Sequence, residues 1–119
     1  MYRYQILIEY EGTSYLGWQI QKKGKSVQKT VQKALAKLIK QNIILFSAGR
    51  TDKGVHAREQ SAHFDVKNKI QNIKKIIESL NFFLNNKNIA IINIKKKKNN
   101  FHARYSAKER VYLYIILNR

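Results

Sequence analysis

The sequence predicts an α+β fold in which two helices cover one face of an antiparallel sheet. Three observations support this prediction. Segments with the alternating polarity of strands and segments with helical periodicity follow one another in the order strand, helix, strand, strand, helix, strand, strand. The 119 residues correspond to one domain and suffice to bury roughly two thirds of the unfolded surface. No internal repeat and no flexible linker divides the chain.

The first strand is predicted over residues 2–10, where tyrosine and isoleucine alternate with more polar residues, so that one face is buried. A loop follows over residues 11–25 and contains Trp18, the single tryptophan. A tryptophan in a loop more often fills an edge of the core than stacks on a base. We therefore favour a core position for Trp18, with base stacking as the alternative.

The first helix is predicted from a cap at Ser26 to about Gln41. Apolar residues recur at helical spacing along one face, namely Val27, Val31, Ala34, Leu35, Leu38 and Ile39. The opposite face carries a row of three lysines four residues apart, Lys29, Lys33 and Lys37. Such a row is usually only solvated, and the alternative is that it contacts phosphates.

The later elements are predicted from the same two periodicities. They are strands over 43–48 and 60–66 with a loop between them, a helix over 70–84, a break at 85–88, a strand over 89–94, a basic turn over 95–100 and a last strand over 110–117. The first six elements match the split β-α-β unit of ferredoxin-like folds. The sequence therefore predicts a ferredoxin-like antiparallel sheet, β-α-β-β-α-β plus a further strand, with both helices on one face.

The loop between the two middle strands reads G-R-T-D-K-G-V-H-A over residues 49–57. It contains Asp52, one of only two aspartates in the chain, close in sequence to Arg50, Lys53 and His56. A carboxylate among cations stays ionised and exposed, which suits a nucleophile or a base. The alternative is an Asp-Lys-Gly turn that merely closes a hairpin, because Asp and Gly are ordinary turn residues.

The balance of charge favours a nucleic acid as the partner. Lysine and arginine number 24 against seven acidic residues, which gives a formal net charge of +17. So much positive charge opposes compaction unless an anion neutralises it. Codon bias is the alternative explanation, because lysine, isoleucine and asparagine are all abundant here and all have A/T-rich codons.

The composition disfavours several kinds of site and location. Without cysteine the chain forms neither a disulfide nor a thiolate metal site. His56, His63 and His102 lack companions at metal-site spacing, so we interpret them as structural or RNA-contacting residues. No apolar run approaches the roughly 20 residues that span a membrane. The N-terminus does not resemble a signal peptide, so a cytoplasmic protein is expected.

Four blocks of this sequence resemble the TruA-type tRNA pseudouridine synthases, in the order and spacing of that family. The third block, G-R-T-D-x-G-V-H, is the most specific. The blocks are Ile8 to Gln21 with its Gly-Trp-Gln segment, Ser26 to Gln28, the G-R-T-D-x-G-V-H loop followed by Gln60, Ala62, His63 and Phe64, and Phe101 to Ile116. Together they span nearly the whole chain.

The resemblance implies that uridine is isomerised to pseudouridine in the anticodon arm of tRNA, with no metal or organic cofactor. It makes Asp52 the essential carboxylate. Three roles are alternatives for this residue: attack on the base, attack on the sugar, or abstraction of a sugar proton. It makes Tyr112 the residue that contacts the uracil, where the strand pattern alone allows a core tyrosine. Arg50 would replace the flipped base in its stack or pair with a phosphate.

Weaker RNA contacts are expected from Arg104, Arg110 and Lys53, for which surface solubility is the alternative. Lys53 stands where the family usually has a small residue, and Glu59 stands where it commonly has glycine. If that glycine needs a left-handed backbone, Glu59 costs about 1 kcal/mol. Asn85 and Asn86 replace a proline of the family.

Length is the largest departure from the family. Its members continue into a second domain that supplies a basic partner for the catalytic aspartate and one wall of the uracil pocket, and they act as homodimers. Residues 1–119 are therefore expected to be a single N-terminal domain that carries the catalytic loop without the C-terminal domain. The alternative function is a catalytically incomplete tRNA-binding module of the same fold, and a small basic protein of ribosomal type is a weaker third.

Overall fold

The computed structural model describes residues 1–10, 26–47 and 57–103, with the backbone alone at 57–59. Regular structure begins and ends close to where the sequence periodicity changes. The elements are β1 (Tyr2–Tyr10), α1 (Val27–Ile39), β2 (Phe46–Ser47), β3 (Ala57–Val66), α2 (Ile73–Leu84) and β4 (Ile89–Lys97). The predicted strand over 110–117 lies outside the described residues.

The four described strands form one sheet in the order β2-β3-β1-β4, and every neighbouring pair is antiparallel. β1 is a central strand, because β3 pairs with it on one side and β4 on the other. This order is that of a split β-α-β unit, in which β3 lies between β1 and β2. The predicted α+β, ferredoxin-like fold is therefore confirmed.

The core lies between one face of the sheet and the two helices. The alternation of β1 decides which face is covered, because Tyr4, Ile6, Ile8 and Tyr10 are all buried. The ring of Tyr4 stacks on that of Phe64 from β3, with centroids 5.8 Å apart. Helical residues complete the core, namely Val27, Val31 and Leu35 from α1 and Leu80 and Leu84 from α2.

Side chains at the helix ends explain where the helices differ from the prediction. Ser26 caps α1 as predicted, since its Oγ accepts a hydrogen bond from the Lys29 N–H at 3.1 Å. α1 ends at Ile39 rather than near Gln41, because Lys40 is left-handed with φ 61°. α2 was predicted from Ile70 but begins at Ile73, where the Asn72 side chain caps the Lys75 N–H at 3.1 Å.

Three strands also differ from their predicted lengths. β3 begins at Ala57 rather than at Gln60. The segment over 43–48 was predicted as a strand, but of its described residues 43–47 only Phe46–Ser47 pair with β3, because side chains of α1 occupy both backbone groups of Leu45. The lysines over 95–97 were predicted as a turn, yet they continue β4 by pairing with residues 3–5 of β1. Composition indicates a turn there, and cross-strand pairing overrides it.

Neither α1 nor α2, the helices of the described ranges, has the length and apolar character that crossing a membrane requires. Both pack against the sheet instead, and α2 in addition supports β4 through one polar side chain. Asn81 donates from Nδ2 to the Ile91 carbonyl at 3.1 Å and accepts at Oδ1 from the Ile91 N–H at 2.7 Å. The register between β1 and β4 shifts next to Ile91, between Leu7 and Ile8 of β1.

We expect Asn81→Asp to lower the free energy of unfolding by about 1–3 kcal/mol, because a carboxylate oxygen then faces the Ile91 carbonyl and the donor is lost. Urea denaturation followed by circular dichroism measures this change. Asn86→Asp, in the exposed turn after α2, is the matched control and should shift stability by less than about 0.5 kcal/mol. Equal losses in the two variants would contradict a specific role for Asn81.

Candidate functional site

All the site residues predicted from the sequence lie outside the described residues. Two segments contain them: 48–56 holds Arg50, Asp52 and Lys53, and 104–119 holds Arg104, Arg110 and Tyr112. Trp18 and His56 lie outside the described residues as well. The structure does describe the residues that adjoin the two segments, namely Ser47, Ala57 and Ala103. The contacts around these residues show what holds the ends of the segments in position.

The segment with Asp52 follows Ser47, the last residue of β2, and precedes Ala57, the first residue of β3. Ser47 pairs with Ala62 in the middle of β3, whereas Ala57 pairs with Tyr10 at the end of β1. β3 thus extends five residues, roughly 17 Å, beyond its described pairing with β2. The segment with Asp52 therefore connects the middle of the sheet to the end at which β1 also finishes.

A β-bulge lies directly beside Ala57, the first residue of β3. Ile8 pairs with Gln60 and Tyr10 with Ala57, so that Arg58 and Glu59 together oppose Glu9. Bulges of this kind redirect a strand next to functional loops. Within the described ranges, Lys40 and Asn88 are the non-glycine residues with positive φ.

Two glutamines of α1 form hydrogen bonds to the backbone of Leu45, just before β2. Gln28 Nε2 donates to the Leu45 carbonyl at 2.8 Å, and Gln32 Oε1 accepts from the Leu45 N–H at 2.9 Å. The two amides also bond to each other at 3.2 Å. Gln28 belongs to the second sequence block, and Leu45, which it contacts, lies four residues before the start of the third block. This chain of amides fixes the direction in which the backbone enters β2.

His63 of β3 contacts Phe46 and Ala103, which lie close in sequence to the two segments. Its ring stacks on Phe46, with centroids 5.1 Å apart and an interplanar angle of 18°. Its Nδ1 accepts a hydrogen bond from the Ala103 N–H at 3.2 Å, which places the proton of the neutral ring on Nε2. His63 is only 2% exposed. Burial, together with the positive charge of Arg3 and the electrostatic influence of the neighbouring His102, lowers the pKa of His63 to about 4.

Arg3 forms a second support for the segment that enters residues 104–119. Its Nε and Nη2 donate to the two carboxylate oxygens of Asp65 at 2.9 and 3.0 Å, and its Nη1 donates to the Phe101 carbonyl at 2.6 Å. The hydrogen bonds from Arg3 hold the pKa of Asp65 below its usual value, and the same bonds raise the pKa of Arg3. Arg3 thus joins β1, β3 and residues 101–103.

The contacts of His63 and Arg3 lie on the face of the sheet opposite the helices, which we call the helix-free face. Its described side chains come from positions that alternate with the core residues and include Arg3, Gln5, Leu7, Phe46, Ser61, His63, Asp65, Asn93, Lys95 and Lys97. Gln5 donates to Ser61 Oγ at 2.8 Å, and the Lys97 ammonium lies 5.4 Å from the centroid of the Phe101 ring. This face is polar and carries positive charge.

The sequence interpretation of His63 left structural and RNA-contacting roles open, and the structure shows a buried structural position. Sequence reasoning missed Arg3 altogether. The available signal was a pair of opposite charges on the polar faces of two alternating strands, but the register that brings Arg3 beside Asp65 cannot be read from either strand alone. Within the described ranges, no group of three His, Cys, Asp or Glu residues is arranged to hold a metal ion.

The fold and these supports define an α+β domain with a ferredoxin-like sheet, in which residues 48–56 connect β2 to β3. A family model described as tRNA pseudouridine synthase matches residues 6–106, and the chain belongs to this family. The resemblance seen in the four sequence blocks is thereby confirmed. The matched stretch contains the loop with Asp52 and the start of the fourth block.

Curated relatives agree with the family match. The chain is 58% identical over its whole length to tRNA pseudouridine synthase A of Pelagibacter ubique (strain HTCC1062). Over 98% of its length it is 43% identical to the protein of that name from Anaplasma marginale (strain Florida) and 44% identical to that from Ehrlichia ruminantium (strain Welgevonden). It covers 48% of each of these relatives, so the chain spans about half the length of the curated relatives it matches.

Proposed function

We propose that this chain contributes the catalytic loop of a tRNA pseudouridine synthase, which isomerises uridine to pseudouridine in the anticodon arm of tRNA. The observation that carries the proposal is the family match over residues 6–106, because this stretch includes Asp52 and the strands on both sides of its loop. The supports of that loop add to it: Gln28 and Gln32 hold Leu45, and a bulge adjoins Ala57.

In the proposed reaction the bond between the ribose and uracil N1 breaks, the uracil turns over, and carbon 5 bonds to the ribose. The hydrogen on carbon 5 leaves as a proton, so the reaction is redox-neutral. Asp52 acts as nucleophile or base, and Tyr112 contacts the uracil. The base must leave its stack to be reached, and Arg50 occupies the vacated space or binds a phosphate. Arg104, Arg110 and Lys53 bind the RNA backbone.

Release of tritium from tRNA labelled at carbon 5 of uridine tests this function directly. That hydrogen leaves only when carbon 5 becomes the glycosidic carbon, so we expect release at a rate proportional to the concentration of the chain. Absence of release while the labelled tRNA remains bound would contradict catalysis by this chain. The same result would favour the alternative function, an RNA-binding module of this fold.

In the proposed enzyme the chain acts as a homodimer in the cytoplasm, as the family resemblance implies. Sedimentation velocity with and without tRNA measures the oligomeric state. If the chain is monomeric and still releases tritium, the catalytic proposal stands and the proposed dimer is wrong.

The lysine row of α1 is the described surface best suited to follow an RNA backbone. Lys29, Lys33 and Lys37 are all exposed and lie about 6 Å apart along the helix axis. α1 contains no acidic residue, and like charges four residues apart slightly destabilise a helix. Within the described residues, the ion pair that the structure contains is Arg3–Asp65, which lies on the other face of the sheet. A phosphate backbone relieves this repulsion.

We expect replacement of all three row lysines by glutamine to make the dependence of log K on log salt less steep by about 2, and to weaken tRNA binding about tenfold near 0.15 M salt. Filter binding over a salt series measures both quantities. The matched control replaces Lys69, Lys74 and Lys75, which lie outside α1, are likewise exposed and carry the same charge. If both triple variants change the slope equally, the row has no special role.

A further inference from the structure

His63 contacts residues next to the start of both segments that hold the candidate catalytic residues. Its ring stacks on Phe46, which is separated by Ser47 alone from the segment with Asp52 at residues 48–56. Ala103, whose N–H it accepts, directly precedes Arg104, where the segment with Tyr112 begins. We propose that His63 is a positioning residue that fixes these two starting points relative to each other, an inference that rests on the proposed function.

The chemistry of histidine suits this position because it makes two different contacts at once. A flat ring is needed to stack on Phe46 at 5.1 Å, and a hydrogen-bond acceptor in the plane of that ring is needed for the Ala103 N–H at 3.2 Å. Phenylalanine provides the ring without the acceptor, and asparagine provides an acceptor without the ring. His63 is held in the middle of β3, which pairs with strands on both sides. A side chain on so well supported a strand moves little.

The electrostatic surroundings keep His63 in the form that accepts a hydrogen bond. An imidazolium carries a proton on Nδ1 and would direct a donor at the Ala103 N–H. Burial and the Arg3 guanidinium both disfavour that charged form and lower the pKa of His63. Near neutral pH the ring is therefore neutral, and its Nδ1 lone pair is available to Ala103.

Arg3 acts with His63 to hold residues 101–103 at two points. The Phe101 carbonyl is bound by Arg3 of β1, and the Ala103 N–H is bound by His63 of β3. The rings of Phe101 and His102 both approach His63 edge-on, with centroids at 6.3 and 4.8 Å. Two bonds from two strands determine the direction in which the chain continues to Arg104, whereas one bond would leave it free to pivot.

His63→Phe and His63→Asn, made in the 119-residue chain, separate the two contacts. In His63→Phe the ring remains and the acceptor is lost, so we expect amide hydrogen exchange over residues 101–103 to become about tenfold faster or more. With labelled tRNA we expect kcat for tritium release to fall tenfold to about a hundredfold while KM changes less than about twofold. His63→Asn keeps an acceptor near the position of Nδ1, so exchange should stay close to wild type and kcat should be partly restored.

Asn81→Asp is the control, because it destabilises the opposite edge of the sheet without contacting His63. A fall in kcat that is equal in His63→Phe and Asn81→Asp at the same folded fraction would overturn the proposal, since His63 would then act only through stability. Unchanged exchange over 101–103 in His63→Phe would overturn it as well. If wild type releases no tritium, the proposed function fails for this chain, and the exchange comparison alone decides whether His63 positions the segment.

Discussion

Asp52→Asn should abolish pseudouridine formation while tRNA binding stays within about twofold of wild type. Asparagine has nearly the same shape as aspartate but has no negative charge, so it neither attacks a sugar or base nor removes a proton at neutral pH. Loss of a residue with such a role lowers the rate by about 10³-fold or more. Tritium release with a saturating amount of enzyme measures the chemical step, and filter binding measures affinity.

Glu78→Gln is the matched control for this experiment, because it removes one negative charge from an exposed position on α2. We expect its release rate to equal that of wild type. A carboxylate repels phosphate, so a pure RNA-binding module has no use for Asp52, and removing it should slightly strengthen binding in such a module. An Asp52→Asn variant that releases tritium within tenfold of wild type would remove Asp52 from the chemistry.

The stability of the fold should decrease by about 3 kcal/mol between pH 6.5 and pH 4 because of His63 alone. Its pKa is lowered from 6.5 to about 4 in the folded chain, chiefly by burial. The unfolded chain therefore binds a proton at His63 over a pH range in which the folded chain does not. The contribution is fully present above pH 6.5, is lost as the pH falls to about 4, and is constant below that.

Urea denaturation at half-unit pH intervals measures this effect when wild type is compared with His63→Asn. The variant lacks the titrating group but keeps every carboxylate, including Asp65, whose own contribution disappears at lower pH in both proteins. We expect the difference in unfolding free energy between the two proteins to shrink by about 3 kcal/mol from pH 7 to pH 4. A difference that is independent of pH would mean that His63 titrates normally in the folded state.

Local patterns predicted the parts of the fold that depend on one segment at a time. β1 has the predicted bounds because its alternation is uninterrupted from Tyr2 to Tyr10, and α1 begins at the predicted cap. The start of α2 was misplaced because Ile70 fits the helical period but its N–H donates to the Tyr4 hydroxyl at 2.9 Å instead. β4 was predicted too short, because only pairing with β1 makes a run of lysines into a strand.

The candidate site was predicted as a set of motifs, whereas its supports follow from the register of the sheet. The sequence blocks identify Asp52 and Tyr112 as the residues of interest, and these lie outside the described residues. Arg3 and Phe101 are 98 residues apart in the sequence, and no pattern in either segment signals that a guanidinium will meet that carbonyl. Such contacts depend on the strand order and on which residues pair, and both are properties of the whole sheet.

The central position of β1 has a consequence for how the chain folds. β1 is synthesised before both of its described partners, because β3, which pairs with one edge, starts at residue 57 and β4, which pairs with the other, ends at Lys97. Until then its buried face and its backbone groups remain open to other chains. Folding that waits for such distant partners is slow and prone to aggregation. The high positive charge, by keeping nascent copies apart, protects this chain during the interval in which its first strand has no partner.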